Sequence, residues 1–304
     1  MKKMKYWSIY LGILALTLAL VGVTACTPAT EIPAPETTPG HPAPPERFPD
    51  IQGVSARIVM EDGKPTNDVN FNVNTPGYFT GSIYLDWGGN IIHYLDVELP
   101  DTPGQPATTA EGTHQAIFDN FITWEDLSPG RHTFSAQLVT LSLTPLEPHM
   151  HAGIELEVPT PGTSQPVINS LSVQTLCRPG YTPPGMPGRP QQDGQACADI
   201  NVVVDVLNFK IVADKIGQQA APGEGHFIYY FNVTPPTTPG EPALTEEGTY
   251  AVTTDSIVSW LGVLPGEYSV WVQLVNNDNT PLEPPVIAGA TIIVPIDAGR
   301  YLGY

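Results

Sequence analysis

Seven histidines and three cysteines carry most of the chemistry available to this chain of 304 residues. His149-Met150-His151 places two imidazoles beside a thioether, a set that suits copper, and imidazole alone suits zinc. With His226, these two are the copper or zinc ligand candidates. Asn276-Asn-Asp-Asn279 gathers oxygen donors of the kind calcium takes, although a plain hairpin turn uses the same residues. Catalytic signatures are missing: there is no G-x-S-x-G, no H-E-x-x-H, no C-x-x-C and no phosphate-cradling glycine loop. The expectation is a protein that is not an enzyme and needs no cofactor. With 12 basic against 31 acidic side chains, a net of −19, a nucleic-acid partner is excluded, because phosphate contacts need clustered Lys and Arg.

The elements that must position these residues come as a duplication. Sliding the chain by 136 positions aligns Asn90–Pro159 with His226–Pro295 without a gap, with about 28 of 70 positions identical. TPGQPATTAEGT from Thr102 matches TPGEPALTEEGT from Thr238, and TPLEPHMHAG from Thr144 matches TPLEPPVIAG from Thr280. Upstream, Asp68-Val-Asn-Phe-Asn-Val and Asp199-Ile-Asn-Val-Val-Val read as equivalent strands. The domains are placed at 50–160 and 167–296, joined by a linker at 161–166 and followed by a tail at 297–304. The duplication weakens the metal reading, since His93, His114, His132, His149 and His151 face Tyr229, Tyr250, Tyr268, Pro285 and Ile287 in the other copy. Exchange of His for Tyr fits amphipathic packing.

Each copy reads as all-β. Its short Val-, Ile- and Tyr-rich runs are bounded by Pro, Gly, Asn and Asp, and no window of the mature chain holds a 3.6-residue period. Tyr268, Val270, Val272 and Leu274 alternate cleanly, as do His132, Phe134, Ala136 and Leu138, so these face the core. Trp271 then faces outward, with Tyr230 on the neighbouring strand. This aromatic pair is the candidate binding surface, a platform for a sugar ring or an anchor for a protein. The competing reading packs Trp271 under a loop or against domain one.

Leu264-Pro-Gly-Glu-Tyr-Ser-Val-Trp271 resembles the turn and penultimate strand of immunoglobulin-like and fibronectin-like sandwiches, which implies two tandem β-sandwich domains. Gly223-Glu-Gly-His226-Phe-Ile-Tyr-Tyr-Phe-Asn232, together with QLVNNDNTPLEPP from Gln273, resembles an uncharacterised family of prokaryotic exported Ig-like domains. That family's motif reads G-E-G-H-x-H-Y-Y-x-D, and its second histidine is Ile228 here.

Lys2, Lys3 and Lys5 precede an apolar run from Tyr6 to Val23, the layout of a signal peptide over residues 1–25. Val23-Thr24-Ala25-Cys26 resembles the lipobox of bacterial lipoproteins, which implies lipidation of Cys26 and an extracytoplasmic protein anchored to the cell membrane, an outer membrane included. Residues 26–49 carry eight prolines and read as an extended tether of about 70 Å. Loss of the signal peptide removes three basic residues and no acidic one, leaving 9 against 31 and a net of −22. Cys177 and Cys197 remain, bracketing a Pro- and Gly-rich loop that domain one lacks, and in an oxidising compartment they are expected to pair, a contribution of about 3 kcal/mol. The expected role is a lipid-anchored surface protein that makes structural or adhesive contacts with envelope proteins or glycans. An envelope copper- or zinc-binding accessory protein is the alternative, and a hydrolytic enzyme ranks third.

Overall fold

The computed structural model describes residues 50–76, 78–80, 88–177 and 198–294, all within one compact unit. The signal peptide, Cys26, the tether, Cys197 with the loop before it, and the 297–304 tail lie outside the described residues, as does the side chain of Cys177. The fold is an all-β sandwich, as the alternation and turn punctuation require. Repeat one supplies β1 (Gly53–Glu61), β2 (Lys64–Asn74), β3 (Phe79–Thr80), β4 (Gly88–Leu95), β5 (His114–Ile117), β6 (Phe121–Trp124), β7 (Gly130–Thr140) and β8 (His151–Val158). Repeat two supplies β9 (Val167–Cys177), β10 (Ala198–Leu207), β11 (Lys210–Ile211), β12 (Glu224–Phe231), β13 (Tyr250–Thr253), β14 (Ile257–Val263), β15 (Gly266–Asn276) and β16 (Pro281–Val294).

The repeats share both layers of the sandwich. A six-stranded sheet runs β14-β10-β9-β1-β2-β6, and a ten-stranded sheet runs β11-β12-β15-β16-β8-β7-β4-β3 with β13 beside β12 and β5 beside β4. The seams are antiparallel ladders between β1 and β9 and between β8 and β16. Ile154 stands opposite Ala290, its own counterpart at the 136-residue offset. Ser55 stands opposite Ser172 in the other seam, and these two are counterparts as well, because Phe71 pairs with Ala56 where Val202 pairs with Val173. An approximate two-fold axis therefore passes through both seams.

Inward-facing residues of both sheets and both repeats form one continuous core, from Ile51 and Val54 to Ile292 and Val294. Val270, Val272, Leu274, Phe134, Ala136 and Leu138 are fully buried in it, as their alternation requires. His132 is buried beside them, its ring nitrogens bonded to the Asp96 carboxylate at 2.6 Å and the Ser128 carbonyl at 2.7 Å.

Two smaller clusters lie on the outer face of the ten-stranded sheet, where one loop per repeat folds back over it. In repeat two, Tyr230 Oη donates to the Ala243 carbonyl at 2.6 Å and to Gln273 Oε1 at 2.7 Å, and Gln273 Nε2 donates to the Pro236 carbonyl at 3.1 Å. Tyr94, Ala107, Gln137 and Pro100 repeat the arrangement in the first copy. The repeated TPG-x-PA sequence is thus a strap, pinned to the sheet by a Tyr and a Gln from adjacent strands.

Candidate functional site

The two-fold seam of the large sheet carries a groove of about 250 Å³ on its outer face. Its floor is Gly153 of β8 and Gly289 of β16, which are counterparts in the duplication, and its lining includes Ser135, His151, Glu155, Glu267, Trp271 and Thr291. The register explains why these meet. Trp271, Gly289, Glu155 and Thr133 form one cross-strand row, and Thr291, Gly153 and Ser135 lie in the next. A side chain on Gly289 would place its Cβ between 2.3 and 2.7 Å from three consecutive atoms of the indole, so the Trp271 ring lies face-down on the glycine. In repeat one the smaller Ser135 takes the tryptophan's position, and the groove opens over Gly153.

Charge around the groove is mixed. Arg131 pairs with Glu155 at 2.9 Å, and His151 Nε2 lies 3.6 Å from Glu267 Oε1, an ion pair only when the imidazole is protonated. Ser135, Thr133 and Thr291 add hydroxyl-bearing side chains to the same lining. A half-buried indole beside carboxylates and hydroxyls is a surface suited to a ring with a polar rim, such as a sugar.

Two of the sequence candidates, Trp271 and His151, meet here. Tyr230 does not: it sits directly opposite Trp271 in the ladder, as expected, but it is completely buried. The exposed aromatic pair is therefore corrected to one half-buried tryptophan over a buried, strap-bonded tyrosine. The physical reason is the strap, which turns the outer face of this sheet into a second interior; burial there raises the Tyr230 phenol above its ordinary pKa.

His226 lies on β12, three strands from β8, and its β15 partner Val275 is far along that strand from Glu267, which faces His151, so the two histidines are roughly 30 Å apart. It is buried, with Nε2 bonded to Asn279 Oδ1 at 2.9 Å, and burial lowers its pKa. His149 is half-buried, just before β8. Among the described residues, no three His, Cys, Asp or Glu side chains converge as a metal cluster would require. The Asn276–Asn279 side chains bond within the protein: Asp278 Oδ1 accepts from Thr280, Asn279 Oδ1 bonds His226 Nε2, Asn276 Nδ2 donates to Thr280 Oγ1 and the Pro281 carbonyl, and Asn277 Nδ2 donates to Glu224 Oε1 at 3.1 Å.

The Gly223–His226 motif has the same architectural duty. Glu224 bonds Lys215 and Asn277, which hold its carboxyl below the usual range. Gly225 passes so close to the Val275 carbonyl that a Cβ there would lie 1.9 Å from its oxygen.

A larger cleft of about 780 Å³ lies where the interrepeat linker meets the β15–β16 hairpin, lined by Pro159, Pro166, Pro222 and Pro284 with Glu157 and Glu283. The sequence reading missed Ser135, Glu155, Glu267 and both floor glycines. Their one visible signal was the Ala-Gly pair repeated at 152–153 and 288–289. No protein-family model matches the chain, and no curated protein matches it significantly.

Proposed function

We propose that this is an exported, lipid-anchored envelope protein that works by non-enzymatic contact, with the seam groove as its point of contact for an envelope glycan. The lipobox-like Val23–Cys26, the proline-rich 26–49 segment and the acidic body support export and display away from the bilayer. One observation carries the glycan reading: Trp271 lies flat at the wall of a groove that both repeats build together, beside hydroxyls and carboxylates. The groove is smaller than the roughly 300–1,000 Å³ of enclosed ligand pockets, so it fits one ring of a longer chain better than a sequestered small molecule. The likeness of Gly223–Asn232 to exported Ig-like domains agrees with this location.

Trp271→Ala would confound contact with packing, because the ring also touches the Tyr230 cluster. Ser135→Trp is the cleaner test: it sets an indole over Gly153 as Trp271 lies over Gly289, filling the groove with a packing the fold already uses. Co-sedimentation with purified cell-wall sacculi is the measurement. The expected result is retention of the wild-type chain and loss of about tenfold or more in affinity for Ser135→Trp at unchanged melting temperature. Equal retention of both would remove the groove from the reading.

A further inference from the structure

β14 is an outermost strand of the six-stranded sheet: β10 pairs with one side, and among the described residues no strand pairs with the other. The Val204 N–H donates to the Ser256 carbonyl, and in an antiparallel ladder alternate residues turn their main-chain groups the same way. Ser256, Val258 and Trp260 therefore face β10, while the N–H and C=O groups of Ile257, Ser259 and Leu261 point away from the sheet. The side chains of these three stand on its outer surface, with Ile257 58% and Leu261 52% exposed. Val203, opposite Ile257 on β10, is exposed too, and Leu176 and Leu264 extend the apolar strip. No charged residue occurs from Ser256 to Leu264 in a chain that carries 31 acidic side chains.

The other copy shows the protected form of the same edge. β6, at the opposite end of the sheet, has only four residues, and Glu125 and Ser128 stand where repeat two has Leu261 and Leu264. Short length and charge are the usual devices that stop an edge strand from pairing with another chain. Repeat one keeps them and repeat two does not.

The geometry points to a second copy of this chain as the occupant, through antiparallel pairing of β14 with β14 about Ser259. That register is self-complementary. It sets Ile257 against the partner's Leu261 and Ser259 against the partner's Ser259, and it joins the outward main-chain groups in roughly six hydrogen bonds. It brings two strongly acidic bodies together along a strand that itself carries no charge from Ser256 to Leu264, which lessens their repulsion there. Lateral antiparallel pairing is also how the two repeats are already joined, at both seams.

The test uses the full chain in its native membrane, carrying Ser259→Cys and treated with a short bismaleimide. The expected result is a species of twice the monomer mass, with none from wild type or from Thr123→Cys at the matching place on β6. Adding Leu261→Glu, which installs the repeat-one residue, should reduce that species by about tenfold or more while tryptophan emission stays unchanged. No dimer from Ser259→Cys, or a dimer that survives Leu261→Glu, overturns the proposal. A dimer that forms only after deletion of residues 178–196 assigns the edge to the chain's own loop and overturns it as well.

Discussion

At the residue scale the histidines separate into packing and surface roles. His93 Nε2 donates to the Asp119 carbonyl at 3.2 Å, and its counterpart Tyr229 donates to the counterpart carbonyl of Asp255 at 3.0 Å. The exchange of His for Tyr thus keeps one hydrogen bond, and Phe71 beside His93 becomes Val202 in the second copy, offsetting the larger ring. Burial lowers the His93 pKa from 6.5 to about 4. Above pH 6.5 neither folded nor unfolded chain holds this proton; below it the unfolded chain takes it up first, so stability falls as pH drops from 6.5 toward 4, by about 3 kcal/mol for this group. Phe71→Val with His93→Tyr should flatten that part of a urea-melt pH profile, whereas His93→Tyr alone should cost about 1–3 kcal/mol by overfilling the site. An unchanged slope in the double variant would show that His93 is not the group responsible. The packing role was legible from the offset comparison alone. The burial of Tyr230 was not, because alternation tells which face a side chain takes and says nothing of what covers it.

At the element scale the straps convert an antiparallel sheet with one wet face into one with two interiors. Each is held by the same set: Tyr to the Ala carbonyl, Gln to the Pro carbonyl, and the Ala N–H to the carbonyl of Leu143 or Asn279 at 2.7 or 2.8 Å. Gln273→Ala removes one of the two acceptors of the Tyr230 hydroxyl and the donor to the Pro236 carbonyl, at a cost of about 1–3 kcal/mol. Limited proteolysis should then cut first within 234–249, and the matching Gln137→Ala should expose 98–113 instead. Cleavage elsewhere in both would deny the straps their separate anchors. The sequence displayed the strap as a dense stretch of matches between the copies; its partners, a Tyr 13 and a Gln 37 positions away, were invisible because they stand on strands whose outward residues look solvent-facing.

At the scale of the whole molecule, duplication was legible as an offset, and sharing of both sheets was not. A strand that ends a sheet and one that continues across a seam carry the same alternation, so β8 and β16 gave no sign of pairing. Because the core runs unbroken across the seams, residues 50–294 should unfold in one calorimetric transition with equal van't Hoff and calorimetric enthalpies. Two resolved transitions would show that the repeats are energetically separate. Fusion also decides how the body would bear load. The segment before residue 50 enters at β1, which lies inside the small sheet and is bonded to β2 on one flank and, over Gly53–Arg57, to β9 on the other. Tension drawn through that segment along the strand would have to shear two ladders at once, one within repeat one and one at the seam, instead of peeling an outer strand bond by bond. A body pulled by its inner strand resists unravelling from the point where the force enters.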